Sequence, residues 1–351
     1  ATRRSIGLRL VGALWWFWIV HCHLSEGRAW LGKALSQAPE PSIARVRALL
    51  GAGVLADTQG DYATAYTLLE ESLATANALD DRQGQAHALV YLALVALSQQ
   101  DSHAQVQALL EEGLALSNTL NERRATANAL FGLGRLAYYQ EDYARAAQLY
   151  AESLALYQEL GCIEFISVLL GNLGVIALTQ GDYTRATELL QADLAVSQRL
   201  RHNRGGAWAL YHLGTIALEQ GDHTLAQAYY TESLILRSEL GDRRGIADCL
   251  EGLAGVAALL RQGELAAQLC GAADVLWKAI GDARVPANQA RFERTKAAAL
   301  AELGEEHFVE AKAAGKKLVL AQVVASASAA LPSSERRFRL FPATTQLSLS
   351  H

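Results

Sequence analysis

The 351-residue chain contains no methionine, only 5 prolines and 4 cysteines, and 7% aromatic residues. Proline this sparse excludes a collagen-like or proline-rich linker chain, and cysteine this sparse excludes a disulfide scaffold. Cys22, Cys162, Cys249 and Cys270 match no zinc or redox spacing, so reduced thiols are expected. There is no excess of positive charge: 31 Lys+Arg face 36 Asp+Glu, for a net −5. Whole-chain nucleic-acid binding normally needs a basic surface. Hydrophobic residues nevertheless make up 51%, enough to exclude a disordered chain.

Catalytic motifs are lacking as well. No G-x-x-x-x-G-K-[ST] occurs; Gly315-Lys316-Lys317 has neither the upstream glycine nor the hydroxyl residue of a phosphate cradle. No nucleophile elbow, HExxH or plausibly spaced carboxylate pair is found, so no catalytic residue, metal or cofactor is expected. His21-Cys22-His23 is the one tight cluster of soft ligands, and adjacent ligands in one turn rarely converge on a metal. The apolar run Leu10–Val20 follows Arg3, Arg4 and Arg9 but is too short to span a bilayer, which takes about 20 residues. It reads as a buried helix over 5–20. Ala1 as the first residue predicts a fragment of a longer protein.

What the sequence does contain is a repeat. A turn signal recurs as Gln59-Gly60-Asp61, Gln99-Gln100-Asp101, Gln140-Glu141-Asp142, Gln180-Gly181-Asp182, Gln220-Gly221-Asp222 and Gln262-Gly263-Glu264. The glutamines are 40, 41, 40, 40 and 42 residues apart. A second signal runs in phase: Leu79-Asp80, Leu120-Asn121, Leu160-Gly161, Leu200-Arg201, Leu240-Gly241, Ile280-Gly281. The segments between them have helical periodicity and no internal proline. Glycine suits the left-handed position that ends a helix, and the aspartate after it suits the cap of the next. Each unit is therefore predicted to be two antiparallel helices.

Small and large residues are ordered within the units. Leu213-Gly214, Ala217, Ala226, Tyr230 and Ser233 recur at the same offsets as Leu173-Gly174, Ala177, Ala186, Leu190 and Asp193. They recur again as Leu133-Gly134, Ala137, Ala146, Tyr150 and Ser153. The unit over 84–120 departs, with Ala93 for glycine and Gln105 for the second alanine. This order resembles the tetratricopeptide (TPR) repeat. The period of about 40 residues, longer than the usual TPR, resembles that of MalT-like arrays.

The opening LRLVGALWWFWIVHCHLSEGRAWLGKAL and the closing stretch from LGDRRGIADCLEGLAGVAALL to EEHFVEAKAAGKKL resemble the end modules of such arrays. They occur in bacterial regulators that combine a STAND-type signalling ATPase, a TPR array and often a LuxR-type DNA-binding domain. The resemblance covers about residues 8–325. It implies an all-α fold: a right-handed TPR-like superhelix of antiparallel hairpins. The expected organisation is an entry hairpin over 1–42, six repeats over 43–282, a helical pair over 283–330 (helices 288–303 and 305–329) and an irregular tail over 331–351.

The resemblance also implies a concave groove lined by the first helix of each pair. Offsets from the leucine-glycine pair select Arg47, His87, Tyr91, Asn128, Phe131, Arg135 and Tyr139, then Asn172, Trp208, Tyr211, His212, Glu219, Asp248 and Glu251. Aromatic rings beside Asn and Arg suit a peptide, a protein segment or a small polar inducer. Trp15, Trp16, Phe17 and Trp18 occupy all sides of one helix, so Trp15, Trp16 and Trp18 are candidates for an interface with an adjacent ATPase domain. Packing inside the array is the alternative for them, as it is for Phe131 and Tyr211. The functional expectation is a non-catalytic, cytoplasmic sensor module of a transcription regulator. A stand-alone scaffold for complex assembly is one alternative, and DNA binding by this chain, aided by Arg336, Arg337 and Arg339 in the tail, is another.

Overall fold

The computed structural model describes residues 3–20, 23–99, 102–281 and 286–318. They form sixteen α-helices and, among the described residues, no strand. The chain divides into two compact units, Ala1–Leu169 and Leu170–His351. In unit 1, α1 (Arg3–Val20) and α2 (Leu24–Gln37) precede the pairs α3 (Ile43–Thr58)/α4 (Tyr62–Ala78), α5 (Arg82–Ser98)/α6 (His103–Thr119) and α7 (Arg123–Tyr139)/α8 (Tyr143–Leu160). The boundary lies within α9 (Ile163–Thr179). Unit 2 continues with α10 (Tyr183–Leu200), α11 (Asn203–Glu219)/α12 (His223–Glu239), α13 (Arg243–Leu259)/α14 (Gly263–Ile280), α15 (Pro286–Leu303) and α16 (Glu305–Gly315). The chain is an all-α array of TPR-like hairpins.

The turn signal works by one backbone device. At the end of α3, Gly60 takes φ +78° and donates to Asp57 O, while Asp61 N donates to Ala56 O at 2.9 Å. This pair of hydrogen bonds is the Schellman end of a helix. The same Asp61 then accepts from Thr64 N through its side chain and so caps α4. Asp142, Asp182 and Asp222 repeat both roles. Where glycine is missing, Asp80, Asn121, Glu141, Arg201 and Arg261 adopt the left-handed conformation instead.

Within each pair the small residue admits the large one. A Cβ on Gly134 would lie 2.7 Å from Tyr150 Cδ1, and one on Gly214 would lie 2.9 Å from Tyr230 Cδ1. The ring fills the space that glycine leaves. Buried serines add one recurring hydrogen bond from the second helix to a carbonyl of the first: Ser72 Oγ to Val46 O, Ser153 Oγ to Ala127 O and Ser233 Oγ to Ala207 O, at 3.0, 2.8 and 2.7 Å.

Two expectations need correction. Gln105 does not hold the second small position of its pair; Val106 does, fully buried, and Gln105 is exposed. Four residues separate α5 from α6 where three separate α3 from α4, so the second helix starts one residue later. Its buried row becomes Val106, Leu110 and Gly113. The helix that starts at Glu305 ends at Gly315 with a turn over 316–317, so the expected single helix over 305–329 is interrupted there; residues 319–329 lie outside the described residues. Gly315 is where α16 meets the backbone of α14, since a Cβ there would lie 1.9 Å from Gln268 O. His21, Cys22, Arg336, Arg337 and Arg339, and the whole 331–351 tail, lie outside the described residues.

Candidate functional site

In unit 1, α3, α5 and α7 form one row, and α1 lies against it. Trp18 turns into the core with Leu8, Leu31 and Leu55, directly over Gly27. Trp15 packs on Gly51 of α3 and meets the Tyr91 ring of α5 edge-on at 6.3 Å. Trp16 stacks on Phe165 of α9 at 5.3 Å and 10°, with the Arg124 guanidinium 5.9 Å above its ring. Phe165 stacks in turn on Tyr157, at 4.3 Å and 4°. Tyr157 donates to Asn128 Oδ1, and Asn128 Nδ2 donates to the Tyr91 hydroxyl at 3.3 Å. Since Trp15 and Trp16 touch edge to face at 5.5 Å, the six side chains form a closed circuit. Burial pushes the Tyr91 phenol up to about 12 and raises Tyr157 as well, so both stay neutral, Tyr157 as donor to Asn128 and Tyr91 as acceptor from it.

Beside this circuit lies a polar cleft of about 440 Å³. Trp15 and Tyr91 form one side, and Arg47, His87, Glu122 and Arg124 bring the charge. Gln83 donates to Glu122 Oε1 at 2.7 Å, and Asp81 caps α5 through Gly84 N. Both carboxylates thus have partners. Among the described residues Arg124 donates to the Cys162 thiol alone, at 3.3 Å, and Arg47 is exposed. His87 is held below its ordinary value chiefly by burial, with Arg124 and Arg47 adding to the shift, so it is neutral near pH 7.

The remaining unit 1 candidates stand apart from the cleft. Phe131 packs on Tyr150 at 5.8 Å and carries Arg135 over its face at 5.9 Å. Tyr139 is exposed at the end of α7.

Unit 2 covers its own row of odd-numbered helices differently. Here α15 lies against α13 and its side chains reach α11. Arg291 donates to Thr215 Oγ1 at 3.4 Å and stands 4.0 Å from Glu219. Asn288 donates to Asp248 Oδ1 at 3.3 Å, and Phe292 is buried in the core beside Tyr230 and Leu253. Trp208 packs over Gly171 and meets His212 at 4.3 Å. Tyr211 packs against Tyr230, with Arg237 5.5 Å from its ring. Glu251 is buried and accepts from Trp277 Nε1 at 2.8 Å. Burial, then the charges of Arg237 and Arg291, push His212 down to about 3. Burial raises Asp248 to about 6. Asn172 is half-buried on α9.

The structure therefore brings Arg47, His87 and Tyr91 to one cleft and seats Glu219, Asp248 and Glu251 among partners from unit 2 itself. Sequence reasoning did not find Arg124, Glu122, Tyr157, Phe165, Asn288 or Arg291. For the last two a signal exists: Asn288, Arg291, Phe292, Thr295 and Ala299 share one helical face. Cys162, Cys249 and Cys270 are unpaired and buried. Among the described residues no three His, Cys, Asp or Glu converge on a possible metal position, and no helix is long and apolar enough to cross a membrane.

Tetratricopeptide repeat models match residues 126–160 and 165–236. No curated protein matches the chain in sequence. Among solved structures, it resembles a signal transduction ATPase with numerous domains (STAND) protein with a tetratricopeptide repeat sensor from Pyrococcus horikoshii. That likeness has TM-score 0.65 and 13% identity, covering 93% of this chain and 50% of the other. The chain thus spans half the length of that protein. It also resembles the apo form of the quorum sensor NprR from B. thuringiensis, with TM-score 0.57, 14% identity and 93% and 89% coverage. The apo form of RapI follows at 0.53 and 11%, with 86% and 98% coverage. At these identities the likeness is one of fold. With the recurring caps, the glycine–ring pairs and the family match together, residues 126–160 and 165–236 are tetratricopeptide repeats.

Proposed function

We propose that this chain is a non-catalytic interaction and sensor module, the TPR arm of a cytoplasmic bacterial signalling ATPase or LuxR-type regulator of the MalT kind. Its six-repeat array over 43–282 takes a peptide, a partner segment or a small inducer in the unit 1 cleft. One observation carries the reading: a polar cleft of about 440 Å³ in which both carboxylates are engaged while two guanidiniums lack carboxylate partners among the described residues. Aromatic walls with a few convergent polar groups are what a ligand site needs. The fold likeness to a STAND sensor and to a quorum sensor supports the same reading. Ligand in the cleft would favour one arrangement of the array and so change its contact with the ATPase, a population shift.

A random 12-residue peptide library selected against the whole chain tests this. The strongest peptide should lose about tenfold or more in affinity on His87→Ala or Arg124→Ala, and little on Trp208→Ala, which alters unit 2. No enriched peptide, together with no stabilising compound in a thermal-shift screen, would sink the reading. So would peptides indifferent to both cleft variants.

A further inference from the structure

A second surface adjoins the polar cleft, shares Gly12 and Arg47 with it, and is otherwise lined mainly by aliphatic side chains. The face of α1 turned away from the inner row carries Ile6, Leu10, Leu14 and Phe17, one stripe at helical spacing. These side chains are 54, 58, 36 and 48% exposed. Across from the stripe stands Ile43 at the start of α3, 53% exposed. Between the two helices Gly12, Ala13 and Ala44 are small, and an open cleft of about 620 Å³ runs along α1 with Ile6, Leu10 and Ile43 as its walls. A protein surface rarely leaves large apolar side chains such as Ile6, Leu10 and Ile43 together without an occupant.

The rim of this cleft is positive. Arg9 and Arg47 both line it and both are exposed. Among the described residues neither has a carboxylate partner. The chain as a whole is at −5, so the two cations are a local feature against the trend. A concave apolar trough suits a rounded ridge better than a flat bilayer, and helix-in-groove recognition reads apolar residues at i, i+3, i+4 and i+7. Opposite charge at the rim would then fix which helix binds and in which direction.

We infer that the α1–α3 cleft docks an amphipathic helix of a partner protein, with its apolar face on Ile6, Leu10 and Ile43 and acidic residues against Arg9 and Arg47. The inference rests on the interaction-module reading. Arg47 lines both clefts, but Arg9, Leu10 and Ile43 line only this one, so a failure read at Leu10 or Ile43 leaves that reading standing.

The test uses the full chain and two fluorescein-labelled helical peptides, leucine along one face. One carries glutamate along the rim and the other lysine. By fluorescence anisotropy the glutamate peptide should bind at least tenfold more tightly. The double variant Arg9→Glu, Arg47→Glu should reverse that order. Leu10→Asp should weaken both peptides about tenfold. Thermal melts followed by circular dichroism establish that the variants are folded, and Ile43→Asp on the opposite wall repeats the test if Leu10→Asp is not. Equal binding of the two peptides, or binding unmoved by the variants, overturns the proposal. Self-association in sedimentation velocity that Leu10→Asp abolishes would overturn it in favour of a second copy as occupant. Co-sedimentation with phosphatidylserine vesicles that the same variant abolishes would overturn it in favour of a membrane.

Discussion

The two units build the same hairpin and cover its inner row in opposite ways. Unit 1 does so with rings: α1 lays Trp15 and Trp16 against α3, α5 and α9, and a polar cleft stays open beside them. Unit 2 uses a helix that mixes one buried ring, Phe292, with the polar Asn288 and Arg291. Residues at equivalent repeat positions thus meet different fates. His87 of α5 borders open space, whereas Asp248 of α13, reached by the same rule, is held by Asn288. A repeat position specifies which face a residue lies on. What covers that face is decided by helices outside the repeat.

The sharpest break between the two modes comes from their anchors. Phe292→Ala should cost about 3–4 kcal/mol, because a fully buried ring leaves a cavity, and denaturant unfolding followed by circular dichroism would measure it. Trp16→Ala should cost about 2 kcal/mol, since that ring is only half-buried, although it touches both Phe165 and Trp15. If Trp16→Ala cost more than Phe292→Ala, the ring-covered row would be the more firmly held one, and the comparison would invert.

Serine substitutions sharpen the contrast at smaller scale. Ser153→Ala removes one buried bond to Ala127 O and should cost about 1 kcal/mol. Ser233→Ala should cost about 2 kcal/mol, because Ser233 also accepts from Arg237 Nε and Cys249 Sγ. Equal losses in chemical denaturation would mean that the extra contacts in unit 2 carry no net stability.

The smallest effect is one of pH. Folding raises Asp248 from 3.8 to about 6, so the folded state holds its proton more tightly than the unfolded chain. Its contribution is therefore fully present below pH 4 and is lost as pH rises through 6. Asp248→Asn, which keeps an acceptor for Asn288, should stabilise the chain by about 1 kcal/mol at pH 8 and not at pH 4. His212, pushed down to about 3, works in the other direction: its contribution grows as pH rises from 3 to 6.5. Melting temperatures of Asp248→Asn and His212→Gln across pH 4–8 should diverge with opposite slopes; parallel curves would show that neither group is coupled to folding.

The repeat was legible because its determinants are local. Gly60-Asp61 carries its own turn, and Gly134 with Tyr150 lies only sixteen positions apart, within a single hairpin. The exchange of Gln105 for Val106 was not legible, because an extra residue in a turn shifts the helix without altering its pattern. The placement of α1 and α15 was hidden for another reason. Trp16 meets Phe165, and Arg291 meets Thr215, by contacts that no repeat period encodes. The groove residues chosen by offset therefore included Asn128, which Tyr157 engages, and Tyr91, which Asn128 engages in turn.

The aromatic circuit of unit 1 also bears on how the protein folds. A stack of repeats touching only its neighbours can gain and lose them one at a time, from either end. The contact between Trp16 and Phe165 joins helices that most of unit 1 separates in sequence. Such a closure is slow to form, because the loop entropy comes first. Once made, it ties α1 to the end of unit 1. Unit 1 is therefore expected to melt as one cooperative block, with amide-exchange protection equalised across α3, α5 and α7 and no fraying from its first hairpin inward.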